Sequence, residues 1–150
     1  MFKKYSFRIL LSLVILFGAR TWSLAQADAL ERNLWYNDDK NAKIQIYKAA
    51  DGKFYGKIVW LRDPYDDEGK PKLNPYCCDK ARCNEPLLGM VILKGFKKDG
   101  AQGYENGTIY DPRNGKTYSC KMTCKDGRLD VRGYIGFSLL GKTAIWTKAE

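Results

Sequence analysis

Single-residue alternation of apolar and polar side chains is the feature that most restricts the fold of this chain. The clearest case is residues 117–124, where Tyr118, Cys120, Met122 and Cys124 share one face of an extended segment. A period of two is typical of a β-strand that buries one face. Similar segments recur along the chain, and turn signals such as Asp51-Gly52 separate them. The sequence therefore predicts an all-β domain of antiparallel strands.

About eight strands are predicted, and short turns join most of them. They cover residues 33–36, 42–46, 54–61, 87–96, 104–110, 117–124, 129–133 and 143–147. A short helix is the alternative for residues 87–96, and Asn106-Gly107 is expected to form a bulge. Closure into a small up-and-down barrel would hide the edges of the sheet.

Two connections depart from ordinary loop composition. Residues 62–85 form a polar, Pro- and Gly-punctuated insertion, and a connection of that length in a compact domain is usually functional or stapled. Residues 134–142 are Gly-rich and apolar, whereas loops normally face water. This second connection is expected either to close over a core or to form one end of a pocket.

The N-terminus has the composition of a secretory signal peptide. Basic residues precede an apolar run over residues 9–17, and Ala25-Gln26-Ala27 provides a small-residue cleavage step. An uncleaved membrane anchor is the alternative, although the apolar run is short for a span of ~20 residues. We therefore expect residues 1–27 to be removed, residues 28–150 to form one domain in the periplasm, and no membrane span to remain.

The charge of the chain argues against a nucleic-acid partner. There are 26 Lys and Arg against 17 Asp and Glu, and four of the basic residues precede residue 28, which leaves +5 for residues 28–150. These basic residues alternate with apolar ones along the strands, whereas a nucleic-acid footprint needs a concentrated patch.

Five cysteines all follow residue 28: Cys77, Cys78, Cys83, Cys120 and Cys124. Export to an oxidising compartment favours disulfides, but an odd number leaves at least one thiol unpaired. Cys120 and Cys124 would lie ~13 Å apart on one strand, too far to bond each other. Each is a candidate to bridge to the loop cysteines, and Cys78 with Cys83 is the alternative. A zinc site is less favoured, because the spacing matches no common one.

Composition also argues against catalysis. The chain has no His, the commonest general base and metal ligand, and no nucleophile or phosphate-binding motif. The carboxylates of Asp63, Asp66, Asp67 and Glu68 fit a solvated loop better than an acid–base pair. We expect no enzyme activity, no metal and no cofactor.

Several short motifs, in order, resemble the bacterial exported domain-of-unknown-function 2147 family. They are Leu34-Trp35, residues 55–60, Asn74-Pro75, residues 86–89, residues 107–112, residues 115–118, residues 132–136 and residues 140–143 before Trp146. The resemblance implies a calycin-like, lipocalin-type barrel and brings no established activity. It also suggests that Trp35 packs beneath Arg132 and closes the barrel through a cation–π contact.

Aromatic side chains are the candidates for the barrel interior. We predict that Trp35, Trp60, Tyr118, Tyr134, Phe137 and Trp146 line it. A small barrel is either filled by its own side chains or holds one small ligand. The favoured function is binding of a small apolar or amphipathic molecule. The alternatives are a filled barrel that binds an envelope protein partner, and an enzyme that uses carboxylates or a free Cys.

Overall fold

The computed structural model describes residues 28–76 and 84–150, which form a closed eight-stranded antiparallel barrel. The strands are β1 (Leu34–Tyr36), β2 (Ala42–Lys48), β3 (Phe54–Leu61), β4 (Val91–Asp99), β5 (Gly103–Asp111), β6 (Lys116–Lys125), β7 (Arg128–Tyr134) and β8 (Gly141–Ala149). A short helix α1 (Ala29–Arg32) precedes β1, and a 3-10 turn (Ser138–Leu140) precedes β8. The expected all-β, up-and-down barrel is confirmed.

Each strand pairs with its neighbours in sequence, and β1 pairs with β8 to close the sheet. Trp35 lies opposite Ile44 of β2 on one side and Lys148 of β8 on the other. No strand in the described part of the chain is therefore left as a free sheet edge of the barrel.

The connections define two ends of the barrel. Helix α1 and the three tight hairpins that join β2 to β3, β4 to β5 and β6 to β7 lie at one end, which we call the base. The other end, the mouth, carries the β1–β2 turn, the long connection over residues 62–90, the β5–β6 turn and the β7–β8 connection over residues 135–140.

The base half of the barrel is packed with large side chains. Trp35, Phe96 and Tyr104 are each at most 1% exposed, and Phe54 packs edge-on against Tyr104 with ring centroids 5.1 Å apart. Leu30 of α1 is fully buried and covers this packing from below. The indole N–H of Trp35 donates to the Leu30 carbonyl at 3.0 Å, which joins the helix to the core.

Asp28 ties α1 to the barrel wall. Its carboxylate accepts hydrogen bonds from the Leu30 N–H at 3.2 Å, from the Tyr104 hydroxyl, and from the Lys98 ammonium. Burial alone would raise the pKa of this carboxyl, but the bonds from Lys98, Tyr104 and Leu30 together outweigh it and lower the pKa. Burial and the bond to Asp28 raise the pKa of Tyr104 far above its ordinary value.

Two irregularities shape the wall. The register between β2 and β3 shifts so that Lys43 lies opposite Trp60 but Ile44 lies opposite Ile58. A second shift between Tyr104 and Gly107 confirms the bulge expected at Asn106, whose φ is +61°. The strand expected over residues 87–96 begins only at Val91, because Gly89, with a φ of +90°, turns the chain before it.

The expected signal peptide, residues 1–27, lies outside the described residues, and so do Cys77, Cys78 and Cys83. Neither helix in residues 28–76 and 84–150 is long and apolar enough to cross a bilayer.

We expect Gly107→Ala to destabilise the fold. The ring of Phe96 lies on Gly107, and a Cβ placed there would meet ring atoms at 2.4 Å. Overpacking of this kind costs about 1–3 kcal/mol. Gly133→Ala is the matched control, since its nearest neighbour would lie at 3.5 Å. Urea unfolding curves check both, and equal midpoints would contradict the close packing at Gly107.

We also expect Asp28→Asn to lower stability by about 1 kcal/mol at pH 7, because hydrogen bonds to a charged group are lost. The pKa of Asp28 is lower in the folded protein than its reference of 3.8. The stabilisation that the Asp28 carboxylate contributes is therefore fully present above its reference pKa and is lost as the pH falls through the folded pKa. Thermal unfolding from pH 7 to pH 2 should show the two proteins converging in acid. Asp67→Asn, at an exposed loop position, should match the parent at every pH.

Candidate binding cavity

The mouth half of the barrel encloses a cavity of about 650 Å³. Its deep walls are aliphatic or aromatic and come from the inward positions of the strands. They include Ile44, Ile58, Ile92, Ile109, Val131, Ala144 and Trp146. Because strand alternation points these side chains inward, an apolar interior follows directly from the period-two pattern.

The upper wall of the cavity is polar. Asn37, Asn41, Asp38, Asp63, Lys72, Asp111, Arg113, Asn114 and Lys142 contribute to it. Lys72 and Lys142 form no ion pair with any residue that the structure describes. The cavity therefore changes from apolar at its floor to charged at its opening, which suits a molecule with one apolar and one polar end.

The β5–β6 turn holds part of this polar wall in place. Arg113 pairs with Asp111, with Nε 3.0 Å from Oδ1, and with Asp39, with Nη1 3.3 Å from Oδ2. The hydrogen bond to Asp111 is the main reason that the pKa of Arg113 is raised. Asn114 donates to the Tyr118 hydroxyl at 3.0 Å and so orients that ring at the cavity wall.

The described parts of the long connection, residues 62–76 and 84–90, are pinned to the barrel at its mouth. Asn74 is 3% exposed, and its side-chain amide hydrogen-bonds the Tyr110 hydroxyl of β5 at 2.7 Å. The Leu87 N–H donates to the Lys72 carbonyl at 2.9 Å, which holds two wall residues of the cavity together. The long insertion expected from the sequence therefore forms part of the cavity.

Three of the six aromatic residues predicted to lie in the interior line the cavity. They are Tyr118, Tyr134 and Trp146, and Trp146 is 3% exposed. Trp35 is also inside the barrel, but it belongs to the packed base half.

The interior positions predicted for Trp60 and Phe137 are wrong. Val59 is the extra residue in the β3 bulge, so Trp60 turns to the outer face, where it meets Tyr36 edge-on at 6.0 Å and Lys43 lies 5.2 Å from its ring. Phe137 is 81% exposed in the β7–β8 connection. That connection borders the cavity through Ile135 and Leu140, which agrees with the expected pocket end and not with closure over a core.

The expected contact between Trp35 and Arg132 is also wrong. Arg132 lies opposite Thr143 and Trp35 opposite Lys148, five residues further along β8, which corresponds to ~16 Å. The two side chains also lie on opposite faces of the sheet. Arg132 instead donates to the carbonyls of Ser138 and Leu139 and to the Thr143 hydroxyl.

Cys120 and Cys124 are free thiols, so the expected bridge from loop to sheet is not formed at either strand cysteine. Cys120 is fully buried among core side chains. Burial raises the pKa of Cys120 to about 12, and burial followed by the charge of Asp28 raises that of Cys124. Both thiols therefore behave as core side chains and are poor nucleophiles.

Within residues 28–76 and 84–150, no group of three or more Cys, Asp or Glu side chains is arranged to hold a metal ion. The aliphatic cavity residues, such as Ile44 and Val131, were not among the predicted interior positions, which were all aromatic. The signal that would have found them is the inward alternation of each strand.

Comparison with known proteins places this barrel in a family. The family described as "uncharacterized protein conserved in bacteria (DUF2147)" matches residues 33–148. The chain belongs to this family. No curated protein matches it.

One solved structure shares the fold of this DUF2147 chain. It is protein HP1028 from Helicobacter pylori, described as belonging to the lipocalin family. The two chains are 23% identical over 73% of each, with a TM-score of 0.61. The likeness shows that the fold is a lipocalin-like barrel.

We expect Cys120 to resist alkylation in the folded protein. A pKa of about 12 leaves roughly 1000-fold less thiolate at pH 8 than an ordinary thiol would have. Peptide mapping after iodoacetamide treatment, in native buffer and in guanidinium, measures the modification at Cys120 and Cys124. Rapid labelling of Cys120 under native conditions would contradict its burial.

Proposed function

We propose that this protein binds a small amphipathic molecule in the mouth half of its barrel. The observation that carries the proposal is the cavity of about 650 Å³ with an apolar floor and a charged rim. Ligand sites of proteins typically have volumes of about 300–1,000 Å³ with mostly apolar walls and a few polar groups.

The arrangement of the cavity indicates how the ligand would lie. Its apolar part would contact Ile44, Val131 and Trp146, since burying apolar surface there removes it from water. Its polar part would remain near Lys72 and Lys142 at the rim, where water and charged side chains solvate it. The base half is already packed, so a ligand would occupy only the mouth half.

Binding without catalysis is the form of function that we propose. Among the described residues, the carboxyl groups with shifted pKa values are those of Asp28 and Asp51, which lie at the base and in a base hairpin, away from the cavity. The buried thiol of Cys120 has its pKa raised. Neither feature provides an activated group beside the cavity.

We further propose that the protein works after export, in the periplasm. The support is the composition of residues 1–27, with its basic start, apolar run and Ala25-Gln26-Ala27 step.

The test is to fill the cavity with a side chain. Ala144 points inward beside Val131, and Ala144→Phe would place a ring in the cavity. Ile145→Phe is the matched control, because the adjacent residue lies on the outer face and is 47% exposed. The neutral probe N-phenyl-1-naphthylamine and the anionic probe 8-anilinonaphthalene-1-sulfonate report binding by their own fluorescence and by quenching of tryptophan emission, to which Trp146 in the cavity contributes.

The parent and Ile145→Phe should bind both probes. The affinity of Ala144→Phe for the probes should fall at least about tenfold, since a cavity filled by a ring no longer accepts an apolar group. Native mass spectra of the purified protein, compared with denatured mass, would show any ligand acquired during growth. The proposal fails if neither probe binds the parent, or if Ala144→Phe binds both as well as the parent does.

A further inference from the structure

The β7–β8 connection exposes an apolar surface that extends beyond the cavity rim. Residues 135–140, which we call the mouth loop, contain four large apolar side chains that are 71–88% exposed. They are Ile135, Phe137, Leu139 and Leu140. The other large exposed apolar residues in the described chain are 37–60% exposed. Single exposed apolar side chains are ordinary, but a contiguous group marks an interaction surface.

The barrel itself holds these side chains outward. Arg132 donates to the Ser138 carbonyl at 2.7 Å, to the Leu139 carbonyl at 3.1 Å and to the Thr143 hydroxyl at 2.9 Å. The Leu140 N–H donates to the Phe137 carbonyl at 3.0 Å. Folding the loop back into the mouth would break the bonds to Arg132, so its apolar side chains stay in contact with the surroundings.

The same hydrogen bonds allow the loop to enter an apolar medium. Backbone groups that enter the lipid boundary need partners within the protein, because the hydrocarbon region provides none. The carbonyls of Phe137, Ser138 and Leu139 all have such partners. The tip of the loop can therefore be desolvated without leaving these three groups unpaired.

The charge of the residues near the mouth loop indicates which kind of surface the loop binds. The mouth-side parts of β6 and β7 and the loop up to the start of β8, residues 116–121 and 132–142, contain four basic residues and no acidic one. Lys121 and Arg132 lie opposite each other on β6 and β7, below the loop. The acidic residues of the mouth lie on other elements: Asp38 and Asp63 are in the β1–β2 turn and the long connection, and Asp111, at the end of β5, is paired with Arg113. Apolar tips beside basic side chains are typical of elements that bind anionic lipid surfaces.

We propose that the mouth loop docks the barrel on an anionic lipid bilayer, with Phe137 and Leu139 entering the boundary between headgroups and acyl chains. The mouth ends of β7 and β8, where the loop joins them, face the membrane. Ile135 and Leu140 border the cavity as well as the loop, so docking brings the cavity opening to the lipid surface. The docking depends on the loop and its charges and holds whether or not the cavity binds a ligand.

The experiment measures partition onto vesicles by co-sedimentation. The protein is produced from the whole chain, its N-terminus is established by intact mass, and all variants carry the same N-terminus. The vesicles are phosphatidylcholine alone, or phosphatidylcholine with phosphatidylglycerol. Phe137→Thr/Leu139→Thr removes the two most exposed loop side chains. The control Leu34→Thr/Ile145→Thr removes two exposed apolar side chains from β1 and the middle of β8.

We expect the parent and the control to bind phosphatidylglycerol vesicles more tightly than neutral ones, and the loop variant to bind them at least about tenfold more weakly, because two large apolar side chains no longer enter the membrane. Thermal unfolding and naphthylamine binding should be unchanged in the loop variant, which separates this proposal from that of the cavity.

Three outcomes would overturn the proposal. One is that the parent does not bind anionic vesicles, and another is that the loop variant binds as tightly as the parent. The third is that neutral and anionic vesicles bind equally. If the parent sediments as a dimer that the loop variant abolishes, and no vesicle binding is seen, a second copy of this chain covers the loop instead.

Discussion

The rest of the barrel depends on β1, because its three residues pair with both β2 and β8. Leu34, Trp35 and Tyr36 bond to β2 on one side and to β8 on the other, and so join the start of the domain to its end. Without this junction, β2 and β8 would be exposed sheet edges and the cavity would lack part of its wall. Helix α1 supports the junction, because the Trp35 indole and the Asp28 carboxylate fix it to the core and to Lys98.

The barrel is filled in one half and open in the other. It therefore combines the two alternatives that the sequence left open, a barrel filled by its own side chains and a barrel that holds one small ligand. Large rings occupy the base, where Trp35, Phe96 and Tyr104 meet. Smaller aliphatic side chains and Ala144 line the mouth half and leave room for a guest. The packed half supplies stability through buried apolar area, so the open half can bear the loss of contacts that a cavity entails.

The sequence predicted the architecture well, because period-two alternation and turn residues are local signals. The strands, the bulge at Asn106 and the barrel closure all follow from them. The placement of individual aromatic residues depended on features that alternation does not show. One extra residue in β3 turned Trp60 outward, and Arg132 bonded the carbonyls of the mouth loop and not the ring of Trp35. The cavity depends on which half of the barrel receives the large side chains, and only the register of all eight strands decides that.

The antiparallel course of β1 and β8 also decides where the domain can be joined to something else. Leu34 and Ala149 are paired neighbours at the base, so the domain enters and leaves on the side opposite the mouth. Asp28, before α1, also lies at the base, bonded to Lys98 and Tyr104. A reporter, a surface linker or a peptide that spans the base from Ala149 to Asp28 can be attached there without crossing the opening. The molecule is thus suited to oriented immobilisation and to circular permutation, with its binding face left free.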